Sequence, residues 1–86
     1  MKNDVKLQLK YKIERWKLKA EGFLKENTRA FVVDIENTYY FCDIIFVGDT
    51  YLYVQNFRED KPVERIKLFW ADVIRFDEFK EKGEEK

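Results

Sequence analysis

Asp34, Glu36, Asp43 and Asp49 come closest in this chain to a general acid–base or divalent-cation constellation. Asp34 and Glu36 stand two apart, so on a strand they would share one face, where a carboxylate pair can pass a proton or hold a cation. On a surface rich in charge such carboxylates are ordinarily solvated. The sequence has no histidine, which removes the Ser-His-Asp triad, the Cys-His pair and imidazole ligation. Its one cysteine, Cys42, lies between Phe41 and Ile44 with no lysine beside it. A buried, inert thiol is expected there, and a lone cysteine excludes an internal disulfide or a thiolate cluster. The residues point to a non-enzymatic chain with no cofactor and no metal.

Binding chemistry is better represented. Tyr39, Tyr40, Tyr51, Tyr53, Phe57, Phe69 and Trp70 form the most distinctive group. Rings on a strand surface stack nucleic-acid bases, and Arg58, Arg65 or Arg75 would hold phosphates nearby. The same rings would fill a core or bury subunit contacts, where Tyr and Trp are enriched, and the acidic charge around them favours that use. Lys6, Lys10 and Lys17 lie along one flank of an N-terminal helix, with Lys12 and Lys19 on the other. Lysines bordering an apolar stripe often only snorkel. They are nevertheless the best cationic surface for phosphate in the chain.

Eighty-six residues, 45% hydrophobic and 17% aromatic, suit one domain spanning 1–86 with a small core that a second subunit would help stabilise. Seventeen basic and seventeen acidic residues cancel. Residues 1–29 hold nine basic and four acidic groups, residues 30–79 five and ten, and residues 80–86 three of each. Such a split marks either a nucleic-acid surface or a basic arm that docks on its own acidic body. The balanced total favours the second, because non-specific phosphate binding needs excess positive charge. No apolar leader and no run long enough to span a bilayer is read, so a soluble, cytoplasmic protein with no membrane partner is expected. The 40% charged content, mostly Lys and Glu, resembles that of proteins from hot environments.

Val5, Leu9, Ile13, Trp16, Ala20 and Leu24 recur at steps of three and four, which predicts a helix over 4–25, with Asn3 or Asp4 as its cap. Val5 to Ile13 also alternates at strand period, but Glu14-Arg15 breaks that alternation while the helical stripe continues. A helix leaves Leu7, Tyr11 and Leu18 as a second stripe, free to meet a partner or simply exposed. Short strands follow at 30–36, 39–47, 50–57, 63–70 and 73–76, with turns at Asn37-Thr38, at Gly48-Asp49 (a positive φ for the glycine if needed), at 58–62 and at Ala71-Asp72. Alternation places Phe41 or the Ile44-Ile45 pair, Leu52, Val54, Val63, Ile66, Leu68, Val73 and Phe76 inside, with Trp16 covering an open end. Residues 80–86 read as a solvated tail.

One helix and five short strands predict a mainly β, strongly bent antiparallel barrel, and residues 5–77 resemble the Sm-like (Lsm) family of small barrels. Val32-x-Asp34-x-Glu36-Asn37-x-x-x-Phe41 is similar to the opening of the first Sm motif, with Cys42 at a usual glycine and Ile44 at the next apolar position. Leu68 to Phe76 keeps the spacing of the second motif, I-R-G-x-x-V-x-x-I, with Phe69 and Trp70 replacing its Arg and Gly. The family's D-x-x-M-N gives way to Val47-Gly48-Asp49-Thr50-Tyr51-Leu52, with no Asn at the matching place. The resemblance implies a non-enzymatic binding module, a homo-oligomeric ring built by pairing edge strands four and five, and RNA as ligand. The replaced polar groups are the ones that contact RNA in the family, so no RNA contact is carried over by motif. The nucleic-acid candidates are Lys6, Lys10, Lys17, Tyr51, Tyr53, Phe69, Trp70 and Arg75. The alternative is a protein-interaction or structural module without nucleic acid.

Overall fold

The computed structural model describes residues 2–80, with side chains from Gln8 onward. Helix α1 (Lys2–Glu26) is followed by β1 (Arg29–Asp34), β2 (Tyr39–Val47), β3 (Tyr51–Arg58), β4 (Lys61–Phe69), a 3₁₀ turn (Trp70–Asp72) and β5 (Val73–Glu78). Helical period therefore prevails over the local alternation at 5–13. The helix begins at Lys2, so Asn3 and Asp4 stand in its first turn rather than capping it. It ends where Asn27 takes a left-handed φ of 56° and the Thr28 amide donates to the Phe23 carbonyl at 2.9 Å. That pairing closes the last turn and satisfies a carbonyl the helix cannot.

All four strand ladders are antiparallel, in the order β4-β3-β2-β1-β5. The expected N-terminal helix and strongly bent five-stranded antiparallel sheet are present; among the described residues no ladder joins β4 to β5, so the bent sheet does not close edge to edge. Register shifts at Ile45 and Asn56, and at the end of β1, supply the bending. The curvature is deep enough that Asp34, Ile35 and Glu36 after β1 line one cleft of about 200 Å³ with Ile66 to Phe69 of β4.

Ala30, Val32, Cys42, Ile44, Leu52, Val54, Leu68, Trp70, Val73 and Phe76 fill the concave side as one cluster, which Trp16 and Ala20 of α1 cover. The inward places given to Phe41 and Val63 are corrected, since both are exposed. Phe41 alternates with buried Cys42, and Val63 lies on edge strand β4 beyond the part that meets the core. Leu9 and Leu24 of the helical stripe are also exposed, because Phe23 makes the contact instead, stacking on Phe76 at 5.7 Å. Tyr11 and Leu18 face solvent, while the side chains of Val5, Lys6 and Leu7 lie outside the described set.

The loop expected at 58–62 is a two-residue hairpin turn. Glu59 and Asp60 take φ of 53° and 66°, and Pro62 sits in an edge strand that can spare its amide. Gly48 does not use a positive φ. A Cβ there would lie 3.0 Å from the Tyr51 carbonyl oxygen and 3.1 Å from the Phe46 ring, so close approach is what requires glycine. Apart from Lys80, the tail falls outside the described residues. No helix among the described residues is long and apolar enough to cross a membrane.

Candidate nucleic-acid interface

The convex face of β2, β3 and β4 carries a continuous group of rings. Along β3 the side chains alternate, so Leu52 and Val54 enter the core while Tyr51 and Tyr53 point out. On β4, Ile66 and Leu68 turn inward while Arg65, Lys67 and Phe69 turn out. The register sets Tyr53 opposite Lys67 and Tyr51 opposite Phe69. On β2 the irregularity at Ile45 moves Phe46 out of phase, exposing it opposite Tyr53. Phe46 lies 5.8 Å from Tyr51 and 6.2 Å from Tyr53 between ring centroids, and Tyr51 and Tyr53 meet edge-on at 5.4 Å. Lys67 Nζ stands 4.5 Å from the centre of the Tyr51 ring and 5.2 Å from that of Phe69. This lysine takes part in no ion pair among the described residues. An uncommitted ammonium between exposed π faces suits bases stacked on rings with a phosphate alongside.

The β2–β3 turn holds this platform in place. The Gly48 amide donates to the Tyr51 carbonyl at 2.8 Å and the Trp70 amide to the Thr50 carbonyl at 3.0 Å. Trp70 Nε1 donates to the Gly48 carbonyl at 3.1 Å. Trp70 is only 1% exposed and its ring lies 5.8 Å from Phe76, so it is a core anchor and its place among the ligand contacts is corrected. β4 ends at Phe69, and the 3₁₀ turn then swings the next side chain inward.

The other candidates are scattered. Arg75 lies on a second ring cluster of Phe31, Tyr39, Phe41 and Phe79, over the Phe31 ring at 5.2 Å. Its Nε donates to Asp77 at 2.7 Å, a carboxylate that Lys19 shares. Arg29 is likewise held by Asp43 and Asp60. Lys10 is exposed on α1, and the Lys6 side chain lies outside the described set. Lys17 pairs with Asp49 at 3.3 Å, and Lys19 donates to the Phe76 carbonyl at 3.2 Å beside Asp77, so these two lysines fasten α1 to its own body. Of the residues singled out from sequence, Tyr51, Tyr53 and Phe69 come together. Phe46 and Lys67 were missed. Lys67 was readable from its alternation with Ile66 and Leu68, whereas the run Ile44-Ile45-Phe46 hides the irregularity that exposes Phe46.

The carboxylates do not assemble. Asp43 sits on Arg29, Asp49 on Lys17, and Asp34 is committed to its own turn. One Asp34 oxygen accepts the amides of Glu36 at 3.0 Å and Thr38 at 2.9 Å, and the other accepts the Tyr40 hydroxyl at 2.9 Å. Burial raises the Asp34 carboxyl, but those donors outweigh it and hold the group below the usual carboxylate range. Burial, then the hydrogen bond to Asp34 and its charge, push Tyr40 up to about 12. Cys42 is fully buried, and burial followed by the Asp43 charge pushes its thiol to about 12, against a smaller opposing effect of Arg29. A thiol so placed is neither a nucleophile nor a ligand near neutral pH.

Comparison with protein-family models, curated proteins and solved structures finds no match to this chain.

Proposed function

We propose that this chain is a non-catalytic, Sm-like binding module of the cytoplasm that takes single-stranded RNA and assembles as a homo-oligomer. The observation that carries the reading is the platform of exposed Phe46, Tyr53 and Phe69 with half-buried Tyr51 around Lys67, which takes part in no ion pair among the described residues. Ring faces accept any base, so binding tolerant of sequence follows. The strand order leaves the backbone of β4 and β5 open at opposite edges, where a second copy can add a ladder. The strand order and the two motif-like segments support the resemblance to Sm-like proteins.

A gel-shift titration with oligo-U and oligo-A at two salt concentrations tests it. Binding that weakens with salt supports RNA as ligand, and absence of binding at low salt overturns it. A protein-interaction module is the second reading, favoured by the exposure of Tyr11 and Leu18 on the outer side of α1. It gains if both oligonucleotides fail to bind while solution mass rises with concentration.

A further inference from the structure

We propose that the projecting N-terminal part of α1 seats in the cleft between the β1–β2 turn and β4 of a second copy of this chain. Gln8, Leu9, Lys10, Tyr11 and Lys12 are all exposed, and among the described side chains packing on the core cluster starts at Ile13. Tyr11 is 60% exposed, so its ring is available to a partner. The cleft offers the complement. Its apolar wall is Leu68 with Ile35 and Phe69, of which Ile35 is 61% exposed. Its rim carries Glu36 and Asp72, neither in an ion pair among the described residues, against the single cation Lys67. About 200 Å³ of space is available there for the Tyr11 side chain, with Lys10 and Lys12, one residue to either side of it, reaching the acidic rim.

The occupant is a second copy because both complementary charges reside in one sequence. Residues 1–29 carry an excess of five positive charges and residues 30–79 an excess of five negative ones. A chain's own arm is kept from its own cleft by the unbroken helix to Glu26, which is fastened at Lys17–Asp49 and Lys19–Asp77. Each copy therefore gives an arm and accepts one, a head-to-tail contact that closes into a ring or continues as a filament. β4 is both a wall of the cleft and an open edge, so one neighbour can engage both. The cleft shares Phe69 and Lys67 with the ring platform, so a seated arm and an RNA strand would contact two residues in common.

Charge reversal with rescue tests it by light-scattering mass over a range of protein concentrations. One variant carries Lys10→Glu with Lys12→Glu, the other Glu36→Lys with Asp72→Lys. All four side chains are partly or fully exposed, and circular dichroism confirms that the variants fold. The wild type is expected to assemble, and each variant alone to fall to the mass of a single chain. An equimolar mixture should assemble again, because every reversed arm then finds a reversed cleft and every native arm a native one. A monomeric wild type, variants that still assemble, or a mixture that stays monomeric overturns the proposal. Mass is read without RNA, and oligo-U titration of the same samples, whose platform rings and Lys67 are unchanged, reads RNA binding, so loss of assembly and loss of RNA binding are told apart.

Discussion

Replacing Asp34 removes one carboxylate that closes the β1–β2 turn from three sides. A hydrogen bond to a charged group contributes about 1.5–3 kcal/mol net. The Glu36 and Thr38 amides belong to exposed residues and can turn to water, so losing each costs only about 0.5–1 kcal/mol, whereas the half-buried Tyr40 hydroxyl keeps about 2 kcal/mol. Asp34→Ala should therefore cost roughly 3–4 kcal/mol, a large part of the 5–15 kcal/mol typical of a domain. Asp34→Asn keeps one acceptor oxygen and should cost about 1–2 kcal/mol. Urea unfolding followed by circular dichroism reads these losses. With an m-value of about 1 kcal/mol/M, the alanine midpoint should fall by ~3 M or the chain should fail to fold. The pH dependence has a definite sign. The folded carboxyl lies below its ordinary 3.8, so its contribution is present above that value and is lost as pH falls through the folded one. The gap between wild type and Asp34→Asn should be full at neutral pH and narrow in strong acid. An alanine variant within about 0.5 kcal/mol of wild type at neutral pH, or a gap that widens on acidification, would refute the bracing role.

Gly48→Ala should destabilise by about 1–3 kcal/mol, seen as a lower Tm, because its Cβ meets the Tyr51 backbone carbonyl as well as the Phe46 ring. Trp70→Phe keeps most of the ring but loses the donor to the Gly48 carbonyl, so about 1–2 kcal/mol should be lost in urea unfolding. Lys67→Gln should weaken oligo-U and oligo-A equally and flatten the slope of log K against log salt by about 0.7, measured by titration at several salt concentrations.

Much of this fold follows from periodicity. The 3.6-residue spacing of Ile13, Trp16 and Ala20 decided the helix over a locally plausible strand, and β-branched and aromatic runs marked all five strands. What escaped was local irregularity. The displacement at Ile45 costs one residue of register and leaves no compositional trace, so Phe46 could not be assigned a face. The Glu59-Asp60 turn places two non-glycine residues at positive φ, where sequence signals call for Asn or Gly. Trp70 reads as the end of a strand, yet a single 3₁₀ turn reverses its direction. The interface suffered in the same way. Tyr51, Tyr53 and Phe69 were legible from alternation and type, but Lys67 acquires meaning only through a cross-strand register that no linear reading supplies. The lysines of α1 illustrate the converse. Lys17 and Lys19 look like a phosphate surface in sequence and are spent on Asp49 and Asp77 in the fold.

Whether the convex ring platform receives bases is most directly answered by fluorescence anisotropy of a labelled oligo-U with wild type and with a Tyr53→Leu, Phe69→Leu double variant at low salt. Leucine keeps apolar bulk at both exposed positions, so folding is preserved while both π faces disappear. Stacking contributes about 1–3 kcal/mol per base, so the double variant should bind at least roughly 30-fold more weakly. Equal affinity in wild type and variant would contradict base stacking on this face.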